Sequence, residues 1–115
     1  MEKQDWEICL KLDWSTDVAL IVMTRAKNGF PFEPFELMTR RLVIHEAVSN
    51  ALKHGGGGAL KACGRGREMR VDISQRKPVA FPSTAEPFRG TALIRRYTRE
   101  TKVSVDKKTL ILHFY

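Results

Sequence analysis

Three polar side chains recur at four-residue intervals in a segment that is otherwise mostly apolar. Glu46, Asn50 and His54 have this spacing within residues 42–55. Because residues four apart lie on the same side of an α-helix, the three side chains form a polar stripe. A carboxylate on a buried helix is costly unless it is paired. Glu46 is therefore expected to have a partner, a water-filled cleft or a bound ion.

The residues around this polar stripe support two interpretations. In the simpler one, the three side chains bond to neighbouring backbone or face solvent at the helix edge. The whole run V-I-H-E-A-V-S-N-A-L-K-H-G, residues 43–55, nevertheless closely resembles the N box of the histidine-kinase-like ATPase superfamily, which includes gyrase, histidine kinases and mismatch-repair proteins. It is most similar to bacterial anti-sigma-factor serine/threonine kinases, in which the pattern E-A-V-x-N-A-x-x-H-G is typical.

The resemblance implies a role for each matched position. Asn50 would coordinate Mg²⁺ through its side-chain oxygen, and the ion would bridge the phosphates of ATP. Glu46 would position or activate the attacking group as the catalytic general base. His54 and Gly55 would lie beside the phosphates. Lys53 is also usually basic in this branch, although a solvated surface charge is its simplest interpretation.

The first glycine box of the family, D-x-G-x-G-F, is altered in this chain. The corresponding run is Q-R-K-P-V-A-F, residues 75–81. Aligning Pro78 with the proline common in this box places Gln75 at the adenine-binding aspartate, Lys77 at the first glycine and Val79 at the second. Gln75 can accept the adenine hydrogen bond through its carbonyl oxygen, but without a charge. Lys77 and Val79 place side chains where the family has none.

The second glycine box, G-R-G-L-x-L-I, is half present as F-R-G-T-A-L-I, residues 88–94. By resemblance, Arg89, Gly90 and Thr91 would bind the phosphates at a helix N-terminus, which favours anions. Phe88 replaces the first glycine of the box. The simplest alternative for these loops is that Phe81 and Phe88 pack into the emptied pocket as core aromatic residues.

Patterns of hydrophobic residues predict the elements that must position the polar stripe. In chain order they are a strand at 6–12, a helix capped by Ser15 or Thr16 and ended by Gly29, a helix at 34–54, a loop or short strand at 59–67, a strand at 69–74, a proline-rich loop at 75–89, a short helix at 91–99 and a terminal hairpin at 103–115. This order predicts an α/β fold of the α+β type, a two-layer sandwich with helices on one face of a mixed, largely antiparallel sheet. The resemblance implies the same Bergerat-type architecture.

Length and composition indicate one folded domain over residues 1–115. The chain is 43% hydrophobic and 29% charged, which excludes the disordered and membrane classes. It has neither a signal-like N-terminus nor the run of about 18 apolar residues that spans a membrane, which predicts a cytoplasmic location. Cys9 and Cys63 lack metal-binding spacing and are expected to be free thiols.

Three functions are consistent with these features. The first is a regulatory protein of signal transduction and transcription that binds a protein partner, with weak or lost Mg²⁺ and ATP binding. By resemblance, the partner is a sigma factor or an anti-sigma antagonist, and the protein forms a homodimer. The alternative is an active Mg-ATP-dependent serine/threonine kinase of such an antagonist. The third is a nucleic-acid-binding module suggested by the net charge of +7, which ranks last because no nucleic-acid motif accompanies the charge.

Overall fold

A computed structural model describes residues 6–79 and 94–115 of the chain. Two helices and five strands are defined within these ranges: β1 (Trp6–Lys11), α1 (Val18–Lys27), α2 (Pro34–His54), β2 (Gly58–Arg65), β3 (Glu68–Gln75), β4 (Glu100–Val103) and β5 (Thr109–Phe114). Residues 94–97 add one helical turn. The predicted long helix and terminal hairpin are therefore confirmed, and residues 59–67, predicted as a loop or short strand, contain most of the eight-residue strand β2.

The five strands form a single sheet in the order β1-β2-β3-β5-β4. Every pairing between these strands is antiparallel, so the mixed sheet that we predicted is wholly antiparallel in the described part of the chain. Tight turns explain this for β2–β3 and β4–β5, because a short connection can join only antiparallel neighbours. Gly66 and Lys107 occupy left-handed conformations in these turns, with φ of 59° and 63°.

One face of the sheet packs against the helices and forms the core. Ala62, Val71 and Leu112 are fully buried and lie in one row across three adjacent strands. α2 contributes its own buried positions, Val43 and Ile44 among them. The alternation of buried and exposed residues along β3 and β5 follows from the pleat of a sheet covered on one side. The predicted two-layer sandwich is confirmed.

The opposite face of the sheet is polar and carries ion pairs, one between β2 and β1 and one within β3. Lys61 Nζ lies 3.2 Å from Glu7 Oε2, and Arg70 Nε lies 2.9 Å from Asp72 Oδ1. None of the described helices has the length and the apolar character that a membrane-spanning segment requires.

The first helix is capped one or two residues later than the sequence indicated. We predicted Ser15 or Thr16 as the N-cap, but the cap is Asp17, whose carboxylate accepts a hydrogen bond of 3.0 Å from the backbone N–H of Leu20. Ser15 instead donates its side-chain hydroxyl to Asp13. A second partner explains the choice, because Asp17 also forms an ion pair of 2.7 Å with Arg41 of α2.

Candidate functional site

The polar stripe lies at the edge of the buried face of α2. Ala47, Val48 and Ala51 are buried, whereas Glu46 and Asn50 are half-buried. The side chains of Glu46 and Asn50 make no hydrogen bond or ion pair to another described residue. Of the three possibilities that we expected for Glu46, a partner, a water-filled cleft or a bound ion, the described residues supply no partner, and its half-buried carboxylate keeps some access to solvent, which lowers the desolvation cost.

The last turn of α2 leaves two of the predicted residues outside the core. Lys53 and His54 are both exposed, so the polar stripe runs from a half-buried end at Glu46 to a solvated end at His54. Lys53 accordingly fits the simplest interpretation, a solvated charge near a helix C-terminus, where cations are favourable.

A glycine loop ends α2 and is anchored to its last turn. The backbone N–H groups of Gly55 and Gly57 both donate to the carbonyl of Ala51, at 2.9 and 3.0 Å. Gly55 itself is right-handed with φ of −99°, whereas Gly56 and Gly57 have φ of 80° and 81°. Gly56, and not Gly55, is therefore the first glycine in the left-handed conformation, because Gly55 still belongs to the helical turn.

The same loop is hydrogen-bonded to the chain that follows β3. The backbone N–H of Lys77 donates to the carbonyl of Gly55 at 2.9 Å, and that of Arg76 donates to the carbonyl of Gly57 at 3.2 Å. A β-carbon at Gly58 would lie 1.8 Å from the carbonyl oxygen of Ser74, so only glycine fits there. The end of α2 and the end of β3 are thus held together as one unit.

Gln75, at the predicted adenine position, is turned toward its own loop. Its side-chain Nε2 donates to the carbonyl oxygens of Lys77 and Pro78, at 2.8 and 3.3 Å. A β-carbon added at Gly55 would lie only 2.5 Å from the amide carbon of Gln75. The structure therefore brings together two of the predicted binding residues, Gln75 and Gly55, in direct packing contact.

Lys77 and Val79 differ in their surroundings. Lys77 is exposed, whereas Val79 is partly buried and packs against the hydrophobic core. The backbone N–H of Val79 donates to the carbonyl of Lys107 at 2.6 Å, which ties this segment to the β4–β5 turn. Val79 is thus a packing residue at the position where the resemblance predicts a second glycine.

The remaining predicted residues, Arg89, Gly90 and Thr91, lie outside the described residues, as do Phe81 and Phe88. Within residues 6–79 and 94–115, no three His, Cys, Asp or Glu side chains are grouped as a metal site would require. The predicted metal ligand Asn50 is not of these types, so this finding leaves its role as a prediction.

A cleft of about 730 Å³ opens at the opposite end of α2 and was not predicted from the sequence. Ten residues separate Arg40 in this cleft from Asn50, which is about 15 Å along the helix. Its lining combines aromatic and charged side chains from α2, the β2–β3 turn, residues 96–99 and the end of β5. In the sequence, the spacing of Glu36 and Arg40 by one helical turn is the only local pattern that we identify as a sign of this cleft.

Arg40 is the buried centre of this cleft, with its side chain 4% exposed. Its Nη1 donates to the carbonyl of Arg67 at 2.6 Å and its Nη2 to Glu36 Oε2 at 3.1 Å. The guanidinium also lies 4.9 Å from the ring centre of Phe32 and 5.2 Å from that of Phe114. Burial lowers the pKa of Arg40, and the carboxylate of Glu36 opposes that shift.

Apolar side chains are exposed on the outer side of the helix layer. Phe35, Met38 and Leu42 are exposed and recur at a spacing that places them on one side of α2. We call these three residues the α2 apolar stripe. Phe35 also lines the cleft, so the stripe and the cleft are continuous.

Comparison with other proteins does not identify a family for this chain. No protein-family model and no curated protein matches it. Function is therefore inferred from the residues described above and from the resemblance of residues 43–55.

Proposed function

We propose that this protein is a regulatory protein with an anti-sigma-factor-kinase-like fold that acts by binding a protein partner, and that its binding of Mg-ATP is weak or lost. By resemblance, the partner is a sigma factor or an anti-sigma antagonist, and the regulated process is transcription. The homodimer implied by the same resemblance is part of this proposal.

The orientation of Gln75 is the observation that carries the proposal. In the family, the aspartate at this position accepts the adenine amino group. Here the side-chain Nε2 donates to the carbonyls of Lys77 and Pro78. These two bonds use the donor Nε2 and hold the amide toward its own loop, and the Oε1 that would have to accept the adenine amino group belongs to a neutral amide, which is a weaker acceptor than a carboxylate. The residues at the adenine end therefore fit ATP poorly.

The two replaced glycines add to this disagreement. Val79 is partly buried against the core, so its side chain cannot move away without losing apolar contacts. Lys77 donates its backbone N–H to Gly55, which closes the loop toward α2. In the family, the backbone at these two positions is free to approach the nucleotide. Here the side chain of Val79 and the hydrogen bond of the Lys77 backbone would hinder that approach.

Exposed apolar residues support a protein partner. The α2 apolar stripe presents Phe35, Met38 and Leu42 to solvent, and exposed apolar groups in proximity are typical of protein-binding surfaces. The net charge of +7 would favour an acidic partner through its long-range field.

Calorimetry tests the loss of nucleotide binding. We expect titration of Mg-ATP to millimolar concentration to give no saturable heat with the wild-type chain. The Asn50→Ala variant is the matched control, because it removes the predicted metal ligand without altering the adenine end. A micromolar dissociation constant in the wild type, abolished in Asn50→Ala, would refute this part of the proposal.

An active kinase is the second candidate, favoured by one specific observation. Glu46 and Asn50 are one turn apart, half-buried and without partners among the described residues, so both are free to serve a metal-bound nucleotide. Transfer of radiolabelled phosphate from ATP to an anti-sigma antagonist, abolished by Asn50→Ala, would support this candidate. Equal transfer by the wild type and the variant would eliminate it.

A further inference from the structure

The cleft at the N-terminal end of α2 carries more positive than negative charge. Four arginines line it, namely Arg40, Arg67, Arg96 and Arg99, against two carboxylates, Glu33 and Glu36. Glu36 is already shared, because its Oε2 lies 3.1 Å from Arg40 Nη2 and 2.6 Å from Arg67 Nε. The cleft therefore keeps an excess of positive charge after its internal ion pairs are formed.

Two of these arginines have no carboxylate partner among the described residues. The guanidinium of Arg96 lies 5.6 Å from the ring centre of Tyr97, and that of Arg99 lies 4.5 Å from that of Tyr115. Neither pairs with a carboxylate of any described residue, and both residues are exposed. A guanidinium placed over a ring is held by the cation–π attraction while its N–H edge can still bind a carboxylate in bidentate fashion.

The apolar part of the lining selects among anions. Phe35 is exposed and makes an edge contact with Tyr97, with ring centres 6.4 Å apart. These rings lie beside Arg96 and Arg99 in the same cleft. Its volume of about 730 Å³ is within the range of about 300–1,000 Å³ typical of ligand sites. An occupant that contacts both parts of the lining would combine an apolar side chain with carboxylates.

We propose that this cleft binds an acidic peptide segment of the protein partner, with an aromatic or aliphatic side chain between its carboxylates. The inference rests on the proposed function in that the occupant is part of a protein. Continuity with the α2 apolar stripe favours a protein over a free small molecule, because the same partner can cover Met38 and Leu42 while its acidic segment pairs with Arg96 and Arg99.

Fluorescence anisotropy with a synthetic probe tests this site. The probe is a fluorescein-labelled pentapeptide with one central phenylalanine and two acidic residues on each side. We expect the wild-type chain to bind it saturably. The Arg96→Glu/Arg99→Glu double variant should weaken binding about tenfold or more, as loss of close charge pairs does. If that variant fails to fold by circular dichroism, Arg96→Gln/Arg99→Gln replaces it with the same expected direction.

Lys107→Glu/Lys108→Glu is the charge-matched control. Both double variants replace two basic residues by two glutamates, so they lower the net charge equally. The exposed lysines lie in the β4–β5 turn, whereas the cleft includes Phe114 at the other end of β5. We expect the control to weaken probe binding less than about twofold, because salt screens distant charges. An equal loss in both double variants, or no saturable binding of the wild type, would overturn the proposal.

Two further probes distinguish a peptide with a central apolar side chain from other anionic ligands. A peptide of equal charge with glycine at the centre should bind more weakly than the phenylalanine peptide. Free phenylpropionate should bind more weakly still, and equal affinity for it would overturn the assignment to a peptide. Saturable binding of Mg-ATP would refute the proposed loss of nucleotide binding and leave these comparisons unchanged, so the two failures are distinguishable.

Discussion

The side-chain amide of Gln75 lies directly against the α-carbon of Gly55, so closely that a β-carbon there would come within 2.5 Å of Gln75 Cδ. This contact joins the end of α2 to the end of β3 at the point where the resemblance locates both nucleotide phosphates and adenine. Packing thus favours glycine at this position independently of any nucleotide.

Replacing Gly55 by alanine tests this packing. We expect the Gly55→Ala variant to lower the free energy of unfolding by about 1–3 kcal/mol, as overpacking does, because the new methyl group must displace the amide of Gln75. The measurement is urea denaturation. Gly29→Ala is the control and should change the free energy by less than about 0.5 kcal/mol, because its β-carbon would have its nearest neighbour at 3.8 Å.

A second substitution separates the two contacts of the new methyl group. In the Gly55→Ala background, Gln75→Ala should recover part of the lost stability, since contacting residues are energetically coupled. Strictly additive losses would show that the crowding comes from the carbonyl of Ala51, which a β-carbon at Gly55 would approach to 2.8 Å.

If the proposed function is right, introducing the residues that the resemblance assigns to the first glycine box should create nucleotide binding. We expect the triple variant Gln75→Asp/Lys77→Gly/Val79→Gly to bind Mg-ATP saturably in calorimetry, at concentrations where the wild type gives no signal. The aspartate supplies the charged acceptor, and the glycines remove the two side chains. Adding Asn50→Ala to the triple variant should abolish the gain, and a triple variant that folds but binds no nucleotide would contradict the assignment of these positions.

Arg40 should be far more important for stability than its neighbour Arg41. Arg40→Ala leaves the carbonyl of Arg67 without a buried donor and removes a bond to Glu36, so we expect a loss of about 2–3 kcal/mol, typical of bonds to charged groups. Arg41→Ala removes only an exposed ion pair with Asp17, which contributes less than about 1 kcal/mol. Thermal unfolding of both variants checks the ranking, and comparable losses would contradict it.

The N-cap of α1 should make stability depend on acid pH. The hydrogen bond from the backbone of Leu20, followed by that from Arg41, lowers the pKa of Asp17 below its ordinary value of 3.8. Folding therefore favours the ionised carboxylate, and its contribution is complete above pH 3.8 and is lost as the pH falls through the lower pKa of the folded state.

The Asp17→Ala variant measures this contribution. At neutral pH we expect it to lose about 1 kcal/mol of unfolding free energy, as N-cap removal does. The difference from wild type should shrink as the pH is lowered in chemical denaturation experiments. A difference that stays constant down to strongly acid pH would show that the cap acts without its charge.

Local patterns predicted most of the elements but not all of their ends. The alternation in β3 and β5 and the length of α2 follow from side-chain periodicity, which is local. The cap of α1 could not be chosen in this way, because Ser15, Thr16 and Asp17 are all good caps. The ion pair between Asp17 and Arg41 distinguishes them, and it joins residues far apart in the chain.

In the candidate site, too, local spacing predicted some features and tertiary packing decided the others. By itself, the sequence determined the register of the polar stripe on α2, because the spacing of Glu46, Asn50 and His54 is a property of the helix. Only the tertiary structure decided that the amide of Gln75 donates to its own loop and that Arg40 is buried in a charged cleft. Both depend on which strand ends and turns meet the ends of α2, and such long-range packing leaves little trace in any local pattern of residues.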